Sequence, residues 1–224
     1  MKKIILLAGL LFCNLFLFSQ KVSNIDFDAI KRSLDASPEL YKNLIDRFKD
    51  SDITLTAADY ITLYYGQCFQ TGYSPYGNQP DYDEFKKHYQ KQDYEKALPL
   101  AIKMLDKNPM DIQMTFKVLV CHHYLKDDEN KAKINIRYEN LLLTIIESGD
   151  GKTAATAMVV MRVSDEYELM NNMQVQNTSQ TLITGPAGEC DLMALKPNDL
   201  GLDKLYFNVS KLFESMSKMF EKKD

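Results

Sequence analysis

Apolar residues recur every three or four positions through the first two thirds of the chain, which is the spacing of an amphipathic α-helix. The clearest run predicts a helix over residues 93–107, with Tyr94, Ala97, Ala101 and Leu105 on one face. The same spacing predicts further helices at about residues 25–34, 38–50, 57–66, 81–90, 109–124 and 131–147. Most of the first 150 residues are therefore expected to be helical.

The pattern changes at residues 148–151, whose sequence Ser-Gly-Asp-Gly is typical of a turn. Beyond this point, apolar runs and loose alternation predict strands. The strands are expected at residues 157–163, 174–183, 189–195 and 205–209, with a turn at 185–188. Ser210 then begins an amphipathic C-terminal helix. Helices followed by strands predict an α+β fold with a small antiparallel sheet.

The N-terminus has the pattern of a secretory signal peptide, in which two lysines precede an apolar run from Ile4 to Phe18. This run is short for a transmembrane helix. We therefore expect an exported protein, periplasmic or extracellular, without stable membrane insertion once the signal is removed. The predicted divisions are a signal peptide at 1–19, a helical region at 20–150 and a β-rich region at 151–224 that packs on the helices.

Composition and charge exclude several classes of function. Hydrophobic residues make up 45% of the chain, which is enough for a sizeable core. The net charge of −4 argues against nucleic acid as a partner, because nucleic-acid binding needs a basic surface. After the predicted signal peptide, Cys68, Cys121 and Cys190 are too few and too widely spaced for a disulfide framework. Cys121 lies in an apolar helical run and is expected to be a buried thiol.

No motif for a cofactor or a metal ion is complete. Gly151-Lys152-Thr153 resembles the end of a phosphate-binding loop, but the earlier glycine is missing and a helix precedes it where a strand is needed. Gly149 and Gly151 are expected instead to supply positive φ angles where a helix stops. His122 and His123 are adjacent on a helix and point about 100° apart, so they cannot share a metal ion. We therefore predict no cofactor and no metal site.

Tyrosines are concentrated between Tyr60 and Tyr94, where glycine and proline interrupt the helical pattern. A stretch this aromatic is expected to be an ordered loop, because flexible linkers are small and polar. Tyrosine offers a flat apolar ring and a hydroxyl that needs a partner. We predict that Tyr65, Tyr73 and Tyr76 lie partly exposed at the rim of a ligand-binding groove. The alternative is that the rings pack the loop onto the helices.

An acidic group near the boundary supports a second interpretation. Asp150, Asp165 and Glu166 are expected where the sheet meets the helices, and paired carboxylates with separated pKa values can perform acid–base chemistry. In that case they should converge in a pocket, with at least one buried and shifted in pKa. Alternation along a predicted strand places Glu166 on one face and Tyr167 on the other. Both are included among the candidate ligand-binding residues.

The helical part resembles tetratricopeptide repeats, since Ala97 lies twelve residues before Pro109, where that family has a small residue and a terminal proline. The resemblance covers about one and a half units of ~34 residues. Asp81 and the pair Glu84-Phe85 depart from the first-helix motif. The resemblance implies helical hairpins, which in that family bind peptides or proteins in a groove or serve as a scaffold.

The whole chain also resembles a domain-of-unknown-function family, number 4919, of secreted proteins from Bacteroidota-type bacteria. Five stretches carry this resemblance in order along the chain: Tyr65-Gly66, residues 73–76, residues 148–151, Asp165-Glu166-Tyr167 and residues 205–208. The resemblance implies export and a shared fold, and brings no activity.

The sequence therefore favours an exported, non-catalytic protein that binds a protein or peptide partner through a helical groove and the tyrosine-rich loop. The alternative is an enzyme of unrecognised type that uses Asp150, Asp165 or Glu166.

Overall fold

The structure is a computed structural model that describes residues 21–75 and 81–221. The predicted signal peptide at 1–19 and the candidate residue Tyr76 lie outside these residues, so both stay predictions.

Helices make up most of the chain up to residue 146. A short hairpin of β1 (Lys21–Val22) and β2 (Ile25–Asp26) comes first. The helices that follow are α1 (Phe27–Ala36), α2 (Leu40–Lys49), α3 (Ala57–Gly66), a 3₁₀ turn (Gln67–Phe69), α4 (Tyr82–Gln90), α5 (Tyr94–Lys107), α6 (Ile112–Tyr124) and α7 (Asp128–Ile146). Thr56 and Asp59 form a capping box at the start of α3, whereas α6, predicted from residue 109, begins at Ile112 and is capped by Asp111.

The second part of the chain forms a four-stranded sheet with two helices. Its elements are a 3₁₀ turn (Ala154–Thr156), β3 (Met158–Val159), α8 (Val163–Asn172), β4 (Asn177–Gly185), β5 (Gly188–Leu195), β6 (Lys204–Asn208) and α9 (Ser210–Glu221). The strand order is β3-β6-β5-β4. The α+β fold is confirmed. The sheet is mixed, however, because β3 runs parallel to β6 whereas β6, β5 and β4 are antiparallel neighbours.

Tyrosine side chains end strand β3 early. A strand was predicted over residues 157–163, but only Met158 and Val159 pair with β6. Two residues later, the backbone N–H of Met161 donates to the hydroxyl of Tyr64, and the hydroxyl of Tyr73 donates to the carbonyl of Met161. The N–H of Val160 still donates to the carbonyl of Asn208 in β6, but both backbone groups of Met161 are bonded to side chains, and the chain turns into α8.

The main hydrophobic core takes residues from both sides of the predicted boundary at residue 150. Phe27, Tyr64 and Tyr65 from the helical region pack together with Val159 and Phe207 from the sheet, and all five are fully buried or nearly so. A second hydrophobic cluster takes its residues from helices α4, α5, α6 and α7 and includes the predicted core residues Ala97 and Ala101. Cys121 belongs to it and is fully buried, as predicted. None of the helices within the described residues is long and apolar enough to cross a membrane.

The segment from Asp165 to Glu168, predicted as a strand, is helical and lies in α8. Its acidic residues are buried rather than solvated: Asp165 and Glu166 are each 0% exposed. The helix is covered on more than one side, so its buried positions do not form the single apolar stripe by which an amphipathic helix is recognised.

The loop after α7 depends on two glycines for different reasons. Gly151 has a φ of +65°, as predicted for this turn. Gly149 does not have a positive φ, which corrects the prediction. It is needed because a Cβ atom there would lie 2.4 Å from the carbonyl oxygen of Thr156. The close approach joins this loop to the segment that leads into β3.

Candidate functional site

A cleft of about 420 Å³ lies where α2, the loop after α3 and the corner between α5 and α6 meet. Its polar and aromatic lining includes Tyr41, Lys49, Gln67, Tyr73, Lys107 and Arg162. The volume is within the range of about 300–1,000 Å³ that is usual for small-ligand sites. Asn108 and Pro109, which follow α5, form part of one wall.

Arg162 is the most deeply buried charged side chain that lines this cleft, with 8% of its surface exposed. Its Nε atom is buried and has no hydrogen-bond partner among the described residues. The two cleft lysines differ, because Lys49 lies 3.4 Å from a carboxylate oxygen of Asp106 and Lys107 lies 3.6 Å from one of Asp81. Arg162 is therefore the basic group of the cleft with unused hydrogen-bonding capacity.

A chain of hydrogen bonds lies behind Arg162 and fixes the backbone next to it. The hydroxyl of Tyr73 donates to the carbonyl of Met161 at 2.6 Å. The N–H of Met161 donates to the hydroxyl of Tyr64 at 3.1 Å, and that hydroxyl donates to Oδ2 of Asp165 at 2.6 Å. The position of Arg162 is thus set by side chains from α3, its following loop and α8.

The charges of Asp165 and Arg162 interact, although no ion pair joins the two side chains among the described residues. Burial raises the pKa of Asp165 to about 7, although the hydrogen bond from Tyr64 and the charge of Arg162 both favour the ionised form. Its Oδ1 atom has no hydrogen-bond partner among the described residues. Asp165 therefore compensates Arg162 incompletely near neutral pH, since the carboxyl group is partly protonated there.

Glu166 and Tyr167 lie at a different place, between α8 and the sheet. Tyr167 donates to Oε1 of Gln180 at 2.6 Å, and Nε2 of Gln180 donates to Asp191 at 2.7 Å. Both carboxylate oxygens of Glu166 are buried without a donor from the described residues. Burial, followed by the charge of Asp191, raises the pKa of Glu166 to about 9. A proton on Glu166 removes the repulsion between its carboxyl group and that of Asp191.

The structure thus separates the candidate residues predicted from the sequence. Tyr73 lines the cleft and is half-buried. Tyr65 is 0% exposed, so the prediction of a partly exposed ring at the rim was wrong. Its hydroxyl donates to the carbonyls of Thr144 and Val159, which holds α7 against the sheet. Glu166 and Tyr167 do not line this cleft.

The three acidic residues that were predicted to lie together, Asp150, Asp165 and Glu166, are also found at different places. Asp150 is half exposed in the loop after α7 and accepts a hydrogen bond from the backbone N–H of Lys152. Asp165 and Glu166 are buried with raised pKa values, as the enzyme interpretation expected. Neither lines the cleft, and the three carboxylates do not converge on it.

Sequence reasoning missed Arg162 as a site residue. It was counted within an apolar segment that runs from Ala157 to Val163, where it is the one charged residue. A lone arginine inside an apolar run is the signal that would have identified it, because buried charges are rare unless they are paired. Tyr41 was assigned to a helix face and also lines the cleft, with its hydroxyl donating to the carbonyl of Leu63.

Comparison with protein families gives one match. The model of a family described as Domain of unknown function (DUF4919) matches residues 28–218. The chain belongs to this family. The matched range of DUF4919 contains every cleft residue named above. A search of curated proteins and a search of solved structures each found no match.

The buried carboxyl groups of this DUF4919 protein predict that its stability decreases as the pH rises. In the unfolded chain, Glu166 releases its proton near its ordinary pKa of about 4.5, whereas in the folded protein it keeps it to about pH 9. Between those values the folded state binds more protons, so each unit of pH lowers the free energy of unfolding by up to about 1.4 kcal/mol for this group. Asp165 adds to this slope up to about pH 7.

Glu166→Gln should therefore make the free energy of unfolding fall less steeply with pH and leave the protein more stable than wild type at pH 8. Urea denaturation at a series of pH values from 5 to 8 measures the free energy of unfolding. The exposed Glu139→Gln is the matched control and should keep the wild-type slope. Equal slopes for wild type and Glu166→Gln would contradict the assignment.

Proposed function

We propose that this DUF4919 protein is an exported, non-catalytic binding protein that holds a carboxylate of a peptide or protein partner in the Arg162 cleft. The observation that carries the proposal is the buried Nε of Arg162, which lines a cleft and lacks a hydrogen-bond partner among the described residues. A buried guanidinium without full compensation costs free energy, and an anion bound to it offsets that cost.

A carboxylate suits this position better than a phosphate. The guanidinium fork forms two parallel hydrogen bonds to a planar carboxylate. Asp165 lies behind Arg162 and bears a partial negative charge near neutral pH. A dianionic phosphate would place twice the charge of a carboxylate next to Asp165 and would be repelled more strongly.

The size and lining of the cleft support recognition of one or two residues rather than a long segment. Its volume is about 420 Å³. Tyr41 and Tyr73 contribute aromatic surface beside the charged group, and Gln67 contributes an amide. An acidic side chain or a C-terminal carboxylate with an adjacent apolar side chain fits this combination. We therefore propose that the partner binds in the cleft lined by Tyr73, rather than along the whole helical groove predicted from the sequence.

The enzyme alternative has less support from the geometry. Asp165 and Glu166 have the raised pKa values that acid–base chemistry uses. However, they are fully buried, and neither they nor Asp150 line the cleft. A general acid or base must reach its substrate within hydrogen-bonding distance. Binding therefore accounts for the open, arginine-lined cleft better than catalysis does.

The carboxylate proposal predicts that binding requires both Arg162 and a negative charge on the ligand. Suitable probes are acetyl-Ala-Asp-Ala-amide, its neutral Asn counterpart, and acetyl-Ala-Ala-Phe with a free C-terminus or a C-terminal amide. Wild type should bind the charged member of at least one pair more tightly. Arg162→Gln should weaken that binding by about 10- to 100-fold, because a charge-assisted hydrogen bond is lost. Ligand-observed NMR or calorimetry measures the affinities.

Lys107→Gln is the matched control, since it removes the same charge from the same cleft but its ammonium already lies near Asp81. Its affinity should remain within about threefold of wild type. Thermal melting establishes that each variant is folded. If the charged and neutral probes bind wild type equally, or none binds, the carboxylate proposal is wrong whatever Arg162→Gln does.

Affinity should also depend on the protonation of Asp165. Below its pKa of about 7 the neutral carboxyl group does not repel the bound carboxylate, and above it the ionised group does and competes for Arg162. The dissociation constant should rise by about tenfold from pH 6 to pH 8, because the ionised carboxylate repels the charge of the ligand. Asp165→Asn still accepts from Tyr64 and should flatten this dependence. A rise in Asp165→Asn that is as steep as in wild type, or steeper, would contradict the coupling.

Export is supported by the signal-like pattern of residues 1–19. The prediction is that the protein recovered from producing cells starts near Gln20 and is found outside the cytoplasm. N-terminal sequencing after cell fractionation measures both. Recovery of a cytoplasmic protein that retains residues 1–19 would contradict export without affecting the binding proposal.

A further inference from the structure

The two edges of the four-stranded sheet differ in length and exposure. Strand β3 forms one edge with only Met158 and Val159, both buried. Strand β4 forms the other edge with nine residues, Asn177–Gly185, most of them exposed. Proteins usually keep edge strands short or covered, because their free backbone groups pair with other strands. The β3 edge follows this rule and the β4 edge does not.

Strand β4 also lacks the side chains that protect an edge. Its sequence Asn-Thr-Ser-Gln-Thr-Leu-Ile-Thr-Gly contains no charged residue and no proline. Natural edge strands often carry lysine or proline to prevent pairing. A register irregularity occurs only at the start, between Asn177 and Ser179, and pairing with β5 is continuous from Ser179 to Gly185. The outer edge is therefore a regular template over seven residues.

Side-chain hydrogen bonds within the chain hold strand β4 in place. Gln180 accepts from Tyr167 of α8 and donates to Asp191 of β5, which fixes β4 against its neighbours. Leu182 is nevertheless 49% exposed. Among the described residues, β5 is the only strand hydrogen-bonded to β4. A fixed strand loses little conformational entropy when another strand pairs with it.

We propose that β4 pairs in antiparallel orientation with β4 of a second copy of this chain. In a two-fold interface both copies use the same surface, so a residue i that contacts residue j of the other copy is matched by j contacting i. The surface must therefore be complementary to itself. A charged strand would place like charges close together in such a pair, whereas β4 is neutral throughout. The absence of charge thus fits a second copy and offers nothing to attract a charged partner segment.

Pairing about the central residue fixes the register of the proposed dimer. Thr181 is the middle residue of β4 and would lie opposite Thr181 of the second copy. Gln180 would then lie opposite Leu182, and Ser179 opposite Ile183. Threonine pairs are favourable across antiparallel strands. The two four-stranded sheets would form one continuous sheet. This inference is independent of the Arg162 cleft.

Light scattering of the purified protein over a range of concentrations tests the proposal. The wild type should have twice the monomer mass at high micromolar concentration. Thr181→Lys should raise the dimer dissociation constant by at least about tenfold, because it places like charges directly opposite each other. Gln90→Lys makes the same change of charge at an exposed position in α4 and should dimerise like wild type. A wild type that stays monomeric, with or without binding added β-strand peptides, overturns the proposal.

A cross-link tests the register without depending on charge. In Thr181→Cys the new thiols should form an intermolecular disulfide under mild oxidation, since directly opposed residues in antiparallel strands are within reach of one. Gln90→Cys should cross-link much more slowly under the same conditions. Equal rates for the two variants, or a Thr181→Lys variant that dimerises as tightly as wild type, would overturn the proposed interface.

Discussion

The hydroxyl of Tyr64 is the contact on which the rest of this structure depends. It accepts from the backbone of Met161 and donates to Asp165, so one side-chain oxygen from α3 ends β3 and anchors the start of α8. Tyr65 adds bonds to the carbonyls of Thr144 and Val159. Two adjacent tyrosines thereby join the helices to the sheet. Arg162 lies between the strand and the helix that they position, which is why it lines the cleft.

This arrangement buries ionisable side chains in the core, where their charged forms are unfavourable. Burial raises the pKa values of Asp165 and Glu166, so the folded chain holds protons that the unfolded chain releases at neutral pH. Arg162 is buried, and its own Nε has no hydrogen-bond partner among the described residues. Groups of this kind reduce stability, and proteins commonly keep them where function needs them. Glu166 does not line the cleft, and its carboxyl group interacts instead with Asp191 of β5.

Local patterns predicted the helices and the β4–β5–β6 strands well. Ala97 and Ala101 are buried at the helical spacing that indicated them, and the turn at residues 185–188 joins two antiparallel strands. These features depend on neighbours within a few residues. The α+β class followed from their order along the chain, and the family match over residues 28–218 agrees with the resemblance to a domain of unknown function.

The misassigned parts depend on contacts between residues far apart in sequence. Nothing near Met161 shows that hydroxyls about 90 residues earlier take up its backbone N–H and carbonyl and so end the strand. The burial of Asp165 depends on Tyr64 in the same way. Tyr65 was expected at a rim because aromatic residues in a glycine-rich stretch suit binding and packing equally. Periodicity cannot decide between these, since it carries no information about which distant element covers a side chain.

The order of strands has a consequence for how the molecule is assembled. Strand β6 lies between β3 and β5 in the sheet, yet it follows both of them along the chain, at residues 204–208. A growing polypeptide therefore lacks this strand of its sheet until residue 208 has been made. Until then β3 has no partner, and the core that includes Phe207 stays open. Of the four strands in this sheet, β6 is made last, so its pairing completes the sheet, and a chain that ends before residue 204 would lose the connection between β3 and β5.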